Sequence, residues 1–556
     1  MASKMTKKVM ETRSGEKTKR VTNFMGGNSY EINAIDTMKM VTASSIFGEP
    51  QYYRDGEFAE KTIMDAVGCK FYSKILADYT VIDGDKYSGM KTSTIMETVI
   101  NEALSEDFGA VLDWAVTLRK DYNMRLNPQV IMVLAANHPA RVAFTEKNPG
   151  KFAEVQKLVM SRADEPASQL TYQLFKYGKK NNLPNILKRT WKAKLEALSR
   201  YQVAKYKNTG LGMIDTVRIS HAHSAVLDEL MKTGSVKVDE DEKTWENLRS
   251  EGKSWAEILD TIKLGHMALL RNLRNIFSEI NDTEKAKKIL EELKSGVLNG
   301  KQFPFRYFTA YQMIEEASVN HKPMILDALE ECMDISLDNM PKLKGKTITL
   351  TDNSGSAWGT CNSEYGKVTV AEIDNVSAVI TAMRSDEGYV GVFGDDLKIV
   401  PIKKRDGVLS QVKKVSEIGH RIGQGTENGI WIFFRNALAN KEHWDNIFIY
   451  SDMQAGHGDL YGISPSEYRE YSISEGWRTS YIDVAKLLAK YRSTVYKDVN
   501  MFSVQTAGYT NVVIPEYTYR ANYMYGWTGK EAVFADAMIK FWDQKTAQKT
   551  AVANAQ

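Results

Sequence analysis

From Glu31 to Leu337 the apolar positions recur every three to four residues, the spacing of an amphipathic helix. "EINAIDTMKMVTASSIF", "TSTIMETVINEAL", "FGAVLDWAVTLRKDY", "NPQVIMVLAANH", "AEVQKLVMSRA", "WAEILDTIKLGHMALLRNLRNIF", "EKAKKILEELKSG" and "MILDALEECMDISL" each predict a helix. Pro128 and Pro139 stand where helices begin. Gly296 follows "ILEELKS" as a C-cap does. No strict repeat recurs, but so long a train of helices predicts an irregular solenoid whose neighbours bury a core between them.

After Pro341 the pattern changes. "KTITLTD", "KVTVAEID", "GYVGVFGD", "LKIVPI", "NIFIYSD" and "NMFSVQTA" are short β-rich runs. "NVSAVITAMRSD", "NGIWIFFRNALAN", "YIDVAKLLAKYRS" and "GKEAVFADAMIKFWD" are helical. Strands alternating with helices predict a doubly wound, mostly parallel α/β domain. The expected organisation is a basic arm over 1–22, a helical-repeat domain over 23–340, an α/β domain over 341–542 and a tail over 543–556.

Composition narrows the class. A chain of 556 residues with 43% hydrophobic and 26% charged residues is a globular protein of two or more domains. Three scattered cysteines, Cys69, Cys332 and Cys361, argue for a reducing compartment and against a disulfide framework. Neither a signal-peptide core nor a membrane-length apolar run is present, so a cytoplasmic protein without membrane attachment is expected.

The net charge of +3 is unevenly spread. Between Thr171 and Thr209 stand Lys176, Lys179, Lys180, Lys188, Arg189, Lys192, Lys194, Arg200, Lys205 and Lys207 against one acid, Glu196. Tyr172, Phe175, Tyr177, Trp191, Tyr201 and Tyr206 are interleaved. Such a run is a solvated helix face or a surface for nucleic-acid phosphates, whose neutralisation releases counterions. In "LLRNLRN", Leu264, Met267, Leu270, Leu273 and Phe277 share one stripe and belong to the core. Arg271 and Arg274 lie together off that stripe, as a solvated face or an RNA surface. His138 reads as a helix-start residue rather than a ligand.

The run "TITLTDNSGSAWG" carries different chemistry. Asp352 ends its strand, followed by Ser354 and Ser356. Thr426 follows the glycine-rich turn "RIGQG", and Asp452 ends "NIFIYSD". Carboxylate and hydroxyl oxygens are hard ligands suited to magnesium or manganese. The set resembles the metal-ion-dependent adhesion site of von Willebrand factor A domains, in which Asp352, Ser354 and Ser356 would form the first loop, Thr426 the second and Asp452 the third.

The helical half has a resemblance of its own. "NFMGGNSYEINAIDTMKMVTASSIFGEPQYY", "KYKNTGLGMIDTVRISH", "LGHMALLRNLRNIF" and "FPFRYFTAYQMI" resemble, in that order, the TROVE domain of Ro ribonucleoproteins, which also precedes a von Willebrand A domain. The resemblance implies a ring-like HEAT-like helical-repeat solenoid closed by the A domain. It implies binding of small structured non-coding (Y-like) RNA on the outer face and of single-stranded ends of misfolded RNA in a central hole, for RNA quality control. It also implies an exoribonuclease tethered through the RNA and an acidic protein ligand at the metal, on a protein taken as monomeric. Lys205, Lys207, Arg218 and His221 fall on the family's Y RNA stretch, while its following arginine falls on Asn208 or Thr209. Lys188, Arg189 and Lys192 stand upstream as compensating cations.

Enzymatic readings compete with the scaffold. A haloacid-dehalogenase nucleophile would need an aspartate where Ser354 stands, and no Gly-x-Ser-x-Gly elbow, Walker loop or HExxH is present. The scaffold is the expected function. A metal-dependent phosphohydrolase or nuclease is the alternative, and an A-domain interaction module with an incidental basic face is the third.

Overall fold

The computed structural model describes residues 20–22, 28–30, 34–43, 92–121, 124–178, 183–206, 212–238, 243–355, 357–358, 360–363, 366–423, 427–451, 472–474, 480–482, 484–506, 520–525, 531–533, 535–536, 538–540 and 542–543. By internal packing the chain divides into two compact units at Leu264/Gly265, with Ala34–Glu49 joining Ser93–Leu264 in one of them.

That unit is helical. Its elements are α1 (Ala34–Ala43), α2 (Thr92–Glu106), α3 (Phe108–Lys120), α4 (Leu126–Asn137), α5 (Arg141–Lys147), α6 (Lys151–Val159), α7 (Glu165–Tyr177), α8 (Asn185–Glu196), α9 (Arg200–Tyr206), α10 (Met213–Ser220), α11 (Ala225–Thr233), α12 (Trp245–Ser250) and α13 (Trp255–Thr261). Asn127 to Ala136 of α4 are buried, so that helix has no solvated face. α3 packs on α4 and α6, α4 on α7, and α8 on α10. Thr42 ties α1 in, accepting from the Trp114 indole at 2.8 Å and giving its carbonyl to Asn127 Nδ2 at 2.8 Å.

The second unit begins with α14 (His266–Glu279), α15 (Thr283–Ser295), α16 (Val297–Gly300), α17 (Pro304–Glu316) and α18 (Lys322–Ser336). The apolar run from Trp255 to Phe277 is therefore two helices. Ile262 turns extended at φ −133° and Gly265 caps the next start. Gly296 does follow α15, but at φ −81° rather than in the left-handed region. Its glycine makes room instead, because a Cβ there would approach His266 Nδ1 to 2.7 Å, and one at Gly300 would approach the same ring to 2.3 Å.

A six-stranded sheet follows among the described residues: β1 (Leu343–Asp352), β2 (Ser385–Phe393), β3 (Leu397–Pro401), β4 (Asn446–Ser451), β5 (Asn500–Gln505) and β6 (Ala521–Tyr525). Their order across the sheet is β6-β5-β4-β1-β2-β3, with only β3 antiparallel. The intervening helices are α19 (Val370–Met383), α20 (Val408–Gly419), α21 (Glu427–Ala439) and α22 (Val484–Thr494). "KVTVAEID" is strand only to Thr369. Thr369 and Glu372 form a capping box that starts α19, so the second half of that run is helix.

The two faces of β1 explain its composition. Ile348 and Leu350 join a core with Trp431, Phe434, Leu487 and Tyr491. Thr347, Thr349 and Thr351 face the other way and are fully buried, with Thr349 Oγ1 donating to Ala378 O of α19 at 3.1 Å. The doubly wound fold expected from the alternating pattern is the fold observed.

Candidate metal centre and nucleic-acid interface

The strand order reverses between β1 and β4, which makes their carboxyl ends the switch point where open α/β sheets bind ligands. Asp352 ends β1 and Ser451 ends β4. Asp352 is fully buried. Its Oδ1 accepts the Ser354 amide at 2.9 Å and its Oδ2 accepts the Ser451 hydroxyl at 2.5 Å. The structure thus brings Asp352 and Ser354 together beside the residue that precedes Asp452. Ser356, Thr426 and Asp452 lie outside the described residues. Among the described residues no group of three His, Cys, Asp or Glu side chains could hold a metal. What stands at the switch point is one carboxylate among hydroxyls, a donor set that fits a hard divalent cation.

The backbone beneath this loop is held from inside. Asn353, fully buried, pairs its amide with that of Asn375 on α19 through bonds of 2.9 and 3.0 Å. Its carbonyl accepts the Trp358 indole at 3.1 Å. The Trp358 ring stacks on His420 with centroids 4.0 Å apart. Strand periodicity in β1 signals an inward Asn353, but no spacing in the sequence points to Asn375 or His420 as its neighbours.

The cations of the basic segment divide into two groups. Lys176 is neutralised by Glu97 at 2.5 Å, and that carboxylate also accepts the Tyr172 hydroxyl at 2.6 Å. Arg200 pairs with Glu229 at 2.8 Å, and Lys192 with Glu196 at 3.7 Å. Lys194 donates to the Ser161 carbonyl at 3.1 Å, and burial lowers its pKa. Four cations of the segment are thus engaged, although Glu196 is the one acid the segment itself supplies. Their partners come mainly from distant parts of the chain, brought close by packing of α2 and α11.

Lys188 and Arg189, on the solvated side of α8, make no ion pair among the described residues. Arg218 is exposed in the last turn of α10. His221 caps that helix in the left-handed region, φ 53° and ψ 44°, and its side chain is exposed. The α10–α11 turn lies against α8, because His223 N donates to Glu196 Oε1 at 2.9 Å. Lys192, Glu196 and the turn that carries His221 are therefore neighbours. Lys205 donates to the Tyr201 hydroxyl at 3.2 Å and lies over the Tyr201 and Tyr206 rings at 5.4 and 5.7 Å. Lys207 lies outside the described residues.

Arg271 and Arg274 are exposed on α14, opposite the buried Leu270, Leu273 and Phe277. His138 ends α4 rather than beginning a helix. Its Nδ1 accepts the Ala140 amide at 3.2 Å, its Nε2 meets Ser105 Oγ at 3.2 Å, and burial lowers its pKa. No helix among the described residues is long and apolar enough to cross a membrane.

Three comparisons bear on this arrangement. Residues 229–331 match the TROVE domain family model. Telomerase protein component 1 of Mus musculus is 35% identical over 80 residues, 13% of this chain and 3% of that protein, so the chain spans a small fraction of that relative. The crystal structure of the Deinococcus radiodurans RO (RSR) protein superposes with a TM-score of 0.55 at 15% identity, over 80% of this chain and 92% of that one. At that identity the likeness is one of fold. Residues 229–331 are thus similar to a TROVE domain, and the fold of the chain is similar to that of the RO (RSR) protein.

Proposed function

We propose that this protein is an RNA-binding scaffold of a Ro-type ribonucleoprotein. The observation that carries the reading is the set of exposed or half-buried cations on α8 and α10, Lys188, Arg189 and Arg218, which have no carboxylate partner among the described residues. Unpaired cations on a solvated helical face gain most from phosphate contact, since no ion pair is broken to make it. Together with Lys192, Lys205, Lys207 and His221 they would take a small structured, Y-like RNA. Arg271 and Arg274 would take single-stranded ends by stacking and charge. A magnesium or manganese ion would be held by Asp352 and Ser354 with Ser356, Thr426 and Asp452, and would offer a position to an acidic group of a partner protein. An exoribonuclease tethered through the RNA, a cytoplasmic location, a monomeric state and a role in RNA quality control complete the proposal.

The test is titration of the purified protein with a labelled stem-loop RNA, with magnesium and with chelator, across 50 to 200 mM salt. A shift without cleavage, weakening by roughly 10²-fold or more over that range, is expected for a face that meets several phosphates. Cleavage that depends on magnesium would replace the scaffold by a nuclease. Absence of any shift would leave an interaction module.

A further inference from the structure

Asn353, between Asp352 and Ser354, does not belong to the proposed metal site, yet every one of its polar groups is engaged. Asn353 N donates to Phe393 O at 2.8 Å, continuing the β1–β2 ladder by one residue. Its carbonyl accepts from Trp358 Nε1. Its amide faces α19, where it exchanges two hydrogen bonds with Asn375 and donates a third to Thr351 O at 3.2 Å. Asn375 is fully buried too. It accepts from Thr351 Oγ1 at 2.8 Å and donates to Ser416 Oγ of α20 at 3.3 Å. The helix end seals the pair, since a Cβ on Gly419 would come within 1.9 Å of Asn353 Oδ1.

Strand alternation gives this lock its consequence. Thr351 and Asn353 point to α19, so Asp352 and Ser354 are turned to the opposite side, towards the switch point. A residue slip would exchange the two sets. A loop leaving a strand has lost its ladder on one side and would drift. Here the peptide before Asn353 is held by Phe393 O and the one after it by the Trp358 indole, while the buried Asn353 amide holds the Thr351 carbonyl, a bond strengthened where water is excluded.

We propose that the Asn353–Asn375 pair, with the Trp358 indole, is the positioning device of the metal loop, holding the Asp352 and Ser354 oxygens in the arrangement that takes a divalent cation. Asn353, Asn375 and Trp358 are positioning residues that touch the loop and not the ion. The inference rests on the metal reading proposed above.

The experiment measures Mn²⁺ binding by calorimetry, and thermal unfolding in chelator, on the full chain and three variants. Asn375→Ala breaks the pair. Trp358→Phe removes only the indole bond from a half-exposed ring and spares the core. Thr349→Val removes a buried hydroxyl from the same strand and the same helix contact, away from the loop. Loss of such an orienting partner is expected to raise the metal dissociation constant by roughly tenfold or more in Asn375→Ala. A smaller rise is expected in Trp358→Phe, and none beyond twofold in Thr349→Val, even where its unfolding temperature falls as far. Equal affinities in all variants, or a rise in Thr349→Val that follows its loss of stability, would overturn the positioning role while leaving the metal site standing. If the unaltered protein takes up no Mn²⁺, the metal reading fails and this inference with it.

Discussion

Trp191 donates its indole N–H to Gln169 Oε1 at 2.7 Å, and both residues are fully buried. Gln169 is itself held by Gln129 at 2.6 Å and by Gln156 at 2.6 and 3.1 Å. Three glutamines from α4, α6 and α7 thus seat the one indole of α8. With Leu187 and Leu195 on the same side, the indole fixes which face of α8 is turned out, and that face carries Lys188, Arg189 and Lys192.

Replacing Trp191 by Phe keeps an aromatic ring but removes one of the two donors to Gln169 Oε1, the other being Gln156 Nε2. Losing one buried hydrogen bond while the acceptor keeps another costs about 0.5–1.5 kcal/mol. Urea unfolding of Trp191→Phe is expected to show a loss in that range, while the folded fraction binds RNA within twofold of the parent. A large affinity loss in protein shown to be folded would mean that the indole itself reaches RNA.

The paired and unpaired cations are expected to behave differently in salt. The unpaired Lys188 and Arg189, replaced together by alanine, should flatten the dependence of RNA affinity on salt by about one and a half units of slope, at roughly 0.7–0.9 per phosphate contact. Arg200→Ala should change it little, because Glu229 already neutralises that guanidinium. Equal flattening by both would show that the ion pair opens on binding.

This division was hidden in the sequence for a physical reason. The run from Lys176 to Lys207 shows its cations in order, but Glu97 and Glu229 approach only after the helices pack. The glutamine network was equally hidden, since polar residues signal surface until their partners are known. Local patterns fared better. The alternation of Thr347 to Asp352 located β1 and its polar exit, and the stripe through Leu270, Leu273 and Phe277 oriented α14. The misread start of α19 came from alternation in "KVTVAEID", where the Thr369–Glu372 capping box was the better signal.

Two RNA classes should separate on variants. Lys205→Ala and His221→Ser are expected to weaken a stem-loop RNA by threefold to thirtyfold, about 0.7–2 kcal/mol. Arg271→Ala with Arg274→Ala should instead weaken a short single strand. Competition titrations with both RNAs check this, and parallel losses would contradict two sites.

His266 gives the fold an acid-sensitive point. Its Nε2 meets the Tyr307 hydroxyl at 2.7 Å, its Nδ1 is buried without a hydrogen-bond partner among the described residues, and burial lowers its pKa below the ordinary imidazole value. The unfolded chain therefore takes the proton first. The stabilising contribution is complete above the unfolded value, about 6.5, and is lost as pH falls through the folded one. Stability should fall as pH drops below about 6.5, by at most about 1.4 kcal/mol per pH unit from this group. Melting curves of His266→Gln should show a shallower fall over that window. An unchanged slope would assign the acid sensitivity elsewhere.

Asp352→Ala tests the division of labour between the two chemistries. The cations proposed to attract RNA stand on helices, whereas Asp352 ends the central strand of the sheet at its switch point. The substitution removes the carboxylate from the proposed cation site and leaves the Ser354 amide and the Ser451 hydroxyl without that acceptor. Loss of Mn²⁺ binding by calorimetry is expected, with a fold cost of about 1–3 kcal/mol from the stranded donors. Affinity for the stem-loop should stay within threefold, about 0.7 kcal/mol. Asp352→Asn keeps the shape and one acceptor, so it should lose the ion with less effect on the fold. If both variants lose RNA in step with the metal, the ion belongs to the RNA site and offers its open position to a phosphate rather than to an acidic group of a partner protein.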